Sequence, residues 1–147
     1  MSRRFMPDRW TLPALDARNR AFFTSGRLVL QKCASCGVVQ HPPEEMCHAC
    51  HSMDFETREC RGRGTVYSFI VAHHAANPAL RERVPYAVIL VSLDEMPEVR
   101  IVGNLLDVSP DRVWIGMPVR TVWERIEESG ETLQLPQWKA LEEDEHE

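Results

Sequence analysis

Hydrophobic and polar positions along this chain fall into two textures. From Thr65 onward, apolar residues gather in short runs: Thr65–His73, Tyr86–Leu93, Val99–Leu106, Val119–Ile126 and Thr132–Leu135. Each run is rich in Val, Ile, Thr and aromatics and is bounded by Pro, Gly or Asp, the pattern of strands separated by turns. No ten-residue helical period lies between them, so parallel crossovers are not expected; Pro110–Ile115 has room for one helical turn before Gly116. Five short strands in about 75 residues predict a small barrel, and a five-stranded Greek-key barrel of the OB type fits the count and rhythm.

Before Thr65 the pattern changes. Thr11–Ser25 reads as a helix, with Thr11 as cap, Pro13 in the first turn and Gly26 as terminator. Leu12, Leu15, Phe22 and Phe23 can share a broad apolar side, and Trp10, Phe22 and Phe23 form an aromatic group suited to a partner interface. Leu28–Lys32 then alternates into one cysteine pair, and Val38–His41 leaves it and stops at Pro42 and Pro43. Phe55–Cys60 alternates as another strand, and Arg61–Gly64 reads as a flexible hinge. The chain thus divides into a helical segment (1–27), a cysteine ribbon (28–61), a barrel (62–138) and an acidic tail (139–147), whose charge run has nothing to bury and is expected to be disordered. The fold class is mainly β with an N-terminal helix.

Charge narrows the partners. The net charge is −5, but residues 1–63 carry +3 and residues 64–147 carry −8. A barrel half of that sign repels a phosphate backbone, so nucleic acid is not the expected partner, although zinc ribbons and OB barrels both serve that purpose elsewhere. The longest apolar run, Tyr86–Leu93, is far shorter than the roughly 20 residues of a membrane span. The basic N-terminus has no apolar segment after it, and four of the five cysteines stand in C-x-x-C pairs, as in a reducing compartment; a cytoplasmic protein is expected.

The chemistry concentrates in "CASCGVVQHPPEEMCHAC", residues 33–50. Two C-x-x-C knuckles separated by ten residues can face one another across a single ion, and Cys33, Cys36, Cys47 and Cys50 are its expected ligands. Gly37 permits the positive-φ turn that aims N–H groups at sulfur, and His51 holds the matching place in the second knuckle. Zinc is the default metal; four thiolates also hold iron. Four cysteines fill every tetrahedral position, so the ion has no place for water or substrate and acts as a structural clip. Cys60 is expected to be a buried or idle thiol. Elsewhere there is no nucleophile elbow, Walker loop or HExxH motif, and His73–His74 lack an identifiable partner. Arg81 and Arg83, in the loop before the most apolar strand, are candidates for contacts to the phosphates of a nucleotide-bearing thioester.

These segments resemble the zinc-ribbon and OB-fold, acyl-CoA-associated proteins. The resemblance runs from Phe22–Phe23 through Ser25–Gly37, Pro42–Pro43, Cys47–Cys50, Gly62–Ser68, Val84–Glu95 and Gly103–Asp107 to Ile115–Val119. It implies an N-terminal helix, a rubredoxin-like zinc ribbon and an OB barrel. It also implies a non-catalytic accessory subunit assembled with a thiolase-like enzyme (a thiolase, an acyltransferase or a lipid-transfer-type aldolase of steroid side-chain degradation) or with a hotdog-fold enoyl-CoA hydratase, and contact with acyl-CoA. Two departures stand out: His51 occupies a place where Gly or another small residue is common, and Met96 follows Asp94–Glu95 where Gly is common, implying a different turn. A stand-alone enzyme acting on CoA thioesters is the remaining alternative.

Overall fold

The computed structural model describes residues 5–8, 10–128 and 130–142. It contains one helix, α1 (Arg20–Thr24), and eight strands: β1 (Leu28–Cys33), β2 (Val39–Gln40), β3 (Phe55–Cys60), β4 (Arg63–Ala72), β5 (Tyr86–Leu93), β6 (Arg100–Leu106), β7 (Pro118–Glu128) and β8 (Glu131–Ala140). Single 3-10 turns lie at Pro78–Leu80 and Pro110–Arg112, each with proline at its start.

The last five strands close a barrel in the order β4-β5-β6-β8-β7. All pairs are antiparallel except β6 with β8, which meet in parallel only at Leu105–Trp138 and Leu106–Lys139. This is the OB arrangement that the strand rhythm predicts. Strict alternation along β5 turns Ala87, Ile89, Val91 and Leu93 inward, where they pack with Val66, Ile101, Val119 and Trp138. A bulge separates the Val66–Val91 pair from the Ser68–Leu90 pair; the extra residue, Tyr67, is left exposed. The departure at Met96 is also accommodated inside: its side chain is buried in the barrel core and its carbonyl accepts from Val99 N–H at 2.9 Å.

The helix is much shorter than Thr11–Ser25. Asp16 Oδ1 accepts from the N–H groups of Arg18 and Asn19, while Asn19 Oδ1 accepts from Asp16 N–H and its amide donates to the Ala14 carbonyl. Such side-chain bonds offer the backbone a turn in place of a helix. The apolar residues assigned to a helix face still find a core: Leu12, Leu15 and Phe23 pack, with Met6, on Ile126, Leu133 and Leu135 of the β7–β8 hairpin, and Phe22 joins the main barrel core.

Two further expectations change. Arg61–Gly64 is not a flexible hinge. Only Arg61 and Gly62 separate β3 from β4, and the Gly62 carbonyl accepts from both Thr121 N–H (2.7 Å) and Thr121 Oγ1 (2.9 Å). A side chain at Gly64 would collide with the Ser92 carbonyl, so that glycine marks a close approach between strands. The tail also begins later than residue 139: β8 continues through Lys139 and Ala140, Lys139 Nζ pairs with Asp107 at 2.9 Å, and Leu141 N–H donates to Pro118. The remainder of the expected acidic tail, residues 143–147, lies outside the described residues. Among the described residues no helix is long and apolar enough to cross a membrane.

Candidate functional site

The ribbon is a three-stranded sheet in the order β2-β1-β3. The register Gln31–Gln40 and Lys32–Val39 makes β1 and β2 a hairpin with Cys33 and Cys36 at its tip, as the alternation predicts. Gln40 then ties the second knuckle to it. Its buried side chain donates to Gln31 Oε1 (2.8 Å) and the Met46 carbonyl (3.2 Å), and accepts from His48 N–H (3.1 Å). Nothing in the cysteine spacing signals this glutamine; it is a polar residue at a buried strand position, visible only once the sheet is assembled.

The four sulfurs of Cys33, Cys36, Cys47 and Cys50 all lie within 4.8 Å of one another. Two pairs are closer, Cys33–Cys50 at 3.5 Å and Cys36–Cys47 at 3.6 Å. Thiolates about 2.3 Å from a tetrahedral ion would sit about 3.8 Å apart, so the set fits one such metal with little adjustment. The two knuckles repeat one geometry. Gly37 N–H donates to the Cys33 carbonyl and His51 N–H to the Cys47 carbonyl, both at 3.0 Å, with φ of +80° and +66°. Cys36 N–H points at Cys33 Sγ and Cys50 N–H at Cys47 Sγ, both at 3.5 Å.

These amide dipoles favour thiolate. The N–H of Cys36, with a further bond from Ser35 and the neighbouring thiols, brings Cys33 down to about 6 against the penalty of burial. For Cys50 the N–H of Ser52 acts in the same direction, but the adjoining thiols and burial outweigh it and push the group up to about 12. Four sulfurs this close cannot all ionise alone; a divalent cation removes the conflict, which is the chemistry of a structural metal site. All four positions being cysteine, the site is closed to substrate.

The other predicted residues do not join this centre. Phe22 is buried, contacting Phe23 and Trp123 edge-on and lying 4.8 Å from the His41 ring, so it belongs to the junction of helix, ribbon and barrel. Phe23 is half-buried in the same place, and Trp10 is half-buried on the N-terminal segment. Burial holds the His41 imidazole down at about 4. Arg83 is largely covered, and its Nε donates to the Phe5 carbonyl at 2.8 Å; Arg81 is exposed. His73 and His74 are exposed just past β4. Cys60 is buried at the end of β3, its thiol pushed up to about 11 by burial and by Glu95.

Residues 21–56 match the family model for the ChsH2 rubredoxin-like zinc ribbon domain, and residues 57–124 match that for the ChsH2 C-terminal OB-fold domain. A DUF35 domain-containing scaffold protein of Methanocaldococcus jannaschii is 35% identical over 105 residues, covering 71% of this chain and 72% of its own length. The chain belongs to the DUF35 family. This DUF35 chain is also 45% identical over 114 residues to a probable enoyl-CoA hydratase alpha subunit of Thermomonospora curvata, covering 76% of this chain and 34% of that protein. A 3-oxo-4,17-pregnadiene-20-carboxyl-CoA hydratase alpha subunit of Mycobacterium tuberculosis is 39% identical, with coverage of 80% and 37%. The chain thus spans about a third of the length of these two relatives. Among solved structures, a chain of the Ltp2-ChsH2(DUF35) aldolase superposes with a TM-score of 0.71 at 43% identity, covering 88% of this DUF35 chain and 98% of that one.

Proposed function

We propose that this DUF35 chain is a zinc-binding, non-catalytic subunit that assembles with a thiolase-like, CoA-dependent enzyme and stabilises or completes its active site. The observation that carries this reading is the 43% identity to a chain of the Ltp2-ChsH2(DUF35) aldolase across 98% of that chain's length. The closed four-cysteine site and the lack of a nucleophile–base pair among the described residues agree with a role in assembly. Zinc is the metal of this reading, because four thiolates in tetrahedral reach suit it and the job is structural. Arg81 is the better placed of the two arginines to meet a CoA phosphate, since Arg83 is occupied by the N-terminal segment. The hydratase alpha-subunit names of two relatives favour a second reading, in which the same fold serves a hydratase assembly.

The test is reconstitution. Cys36→Ser opens one coordination position; the variant is expected to lose stoichiometric metal and the partner together, before any change in chemistry at the partner's site. A variant that keeps the complex but abolishes turnover would overturn the accessory role. So would a partner that is fully active alone. Metal analysis of the purified chain decides between colourless zinc and visibly absorbing iron.

A further inference from the structure

The outer surface of the barrel carries a face that the described residues leave uncovered. Outward positions follow from the register: Ser68 stands beside Leu90 and Leu90 beside Val102, while Ile70 stands beside Val88. Neighbouring strands lie about 4.8 Å apart, so Ile70, Val88, Leu90 and Val102 form one contiguous aliphatic diamond across β4, β5 and β6. Ile70 is 64% exposed and Val102 58%. Tyr67, lifted out by the bulge, extends the patch, and Arg100 lies over its ring at 3.8 Å. Trp114 and Ile115, just before β7, are exposed as well, so exposed apolar side chains are more numerous on this side of the barrel than single scattered ones.

Charge selects the occupant. No Asp or Glu occurs in β4, β5 or β6, although residues 64–147 carry −8 overall. On the patch the cation is Arg100, its guanidinium already oriented by Tyr67. A second copy docking the same face would bring Arg100 and aliphatic groups, with no carboxylate from these three strands to meet them. Residues 143–147 hold four acidic residues and one histidine and supply no apolar side chain to cover it. Single-stranded nucleic acid needs stacking platforms and several cations, whereas this face is mainly aliphatic.

We infer that the β4–β5–β6 outer face, centred on Ile70, Leu90 and Val102, is the docking surface for the enzyme subunit of the complex. Its occupant is an aliphatic ridge of a globular protein flanked by a carboxylate that meets Arg100. This rests on the accessory-subunit reading and adds the surface and the chemistry of its complement. An apolar centre with a charged edge is the usual anatomy of such a contact.

The test uses the full metal-loaded chain and the purified Ltp2 subunit of the related aldolase, with binding followed by calorimetry and hydrogen exchange. Ile70 and Val102 are exposed, so Ile70→Asp and Val102→Asp leave folding and metal content unchanged. Each is expected to weaken binding by at least about 30-fold, the loss typical of a central interface residue. Arg100→Glu is expected to weaken it by about tenfold, with reduced salt sensitivity. Amide exchange over 68–72, 88–91 and 100–103 slows in the complex. Binding within about threefold of wild type by both aspartate variants, or protection confined to other strands, overturns the surface and leaves the accessory reading intact. Failure of the wild-type chain to bind Ltp2 removes both. A wild-type dimer dissociated by Ile70→Asp, or oligo-dT binding abolished by it, assigns the face to another occupant and overturns the inference.

Discussion

His51 sits at φ +66°, where an L-residue bears a steric cost that glycine does not. His51→Gly is expected to stabilise the metal-bound chain by about 1 kcal/mol, less the entropy that glycine loses on folding, seen as slower metal loss to a chelator. His41, in the same ribbon, matters through its proton. In the folded chain it binds one only near 4, against 6.5 for a free imidazole, because burial disfavours its charged form. As pH falls the unfolded chain is therefore protonated first, and stability present above 6.5 drains away between 6.5 and 4. At about pH 5 the loss amounts to about 2 kcal/mol. Denaturant titrations at about pH 7.5 and 5 are expected to show that drop in the wild type and a smaller one in His41→Gln. The left-handed turn at His51 was legible from the knuckle pattern; the burial of His41 was not, since it depends on Phe22 arriving from another element.

Strands were easier to read than the helix because a two-residue period survives tertiary context when one face is buried. β5 occupies Tyr86–Leu93 as its alternation predicts. The helix failed because Asp16 and Asn19 bond their own backbone, while Leu12 and Leu15 are apolar enough to satisfy either conformation. The β7–β8 hairpin is longer than its apolar pattern suggests. Glu124 and Gln137 interrupt that pattern, yet both are buried and bonded to each other, Gln137 Nε2 to Glu124 Oε2 at 2.9 Å. Where β6 and β8 converge, Gly103 has no room for a methyl group: a Cβ there would lie 2.7 Å from Trp138 Cδ1 and 3.1 Å from the Pro136 carbonyl. Gly103→Ala is expected to cost about 1–3 kcal/mol in a denaturant melt by forcing this parallel seam apart. The melting transition of the ribbon, followed by metal release, should move less.

At the scale of the molecule, the four-cysteine centre was fully legible from spacing, while the surfaces around it were not, since each is assembled from distant residues. The N-terminal segment is an example. Met6 N–H donates to Glu124 Oε1 at 2.7 Å, Phe5 packs edge-on against Tyr86, and Arg83 holds the Phe5 carbonyl, so Phe5 and Met6 bridge β5 and β7. Glu124→Leu removes the acceptor shared by Met6 and Gln137. Faster amide exchange at Met6 and readier proteolysis near the N-terminus are expected, with the barrel strands still protected. Unchanged exchange at Met6 would show that the aromatic contact alone holds the segment.

The two-residue joint at Arg61–Gly62 has a mechanical consequence. With the Gly62 carbonyl gripped twice by Thr121, the joint between ribbon and barrel is tied to β7. The pair forms a calliper with a short joint: a partner that touched both halves would meet two contact points at a span set by two residues rather than by a linker.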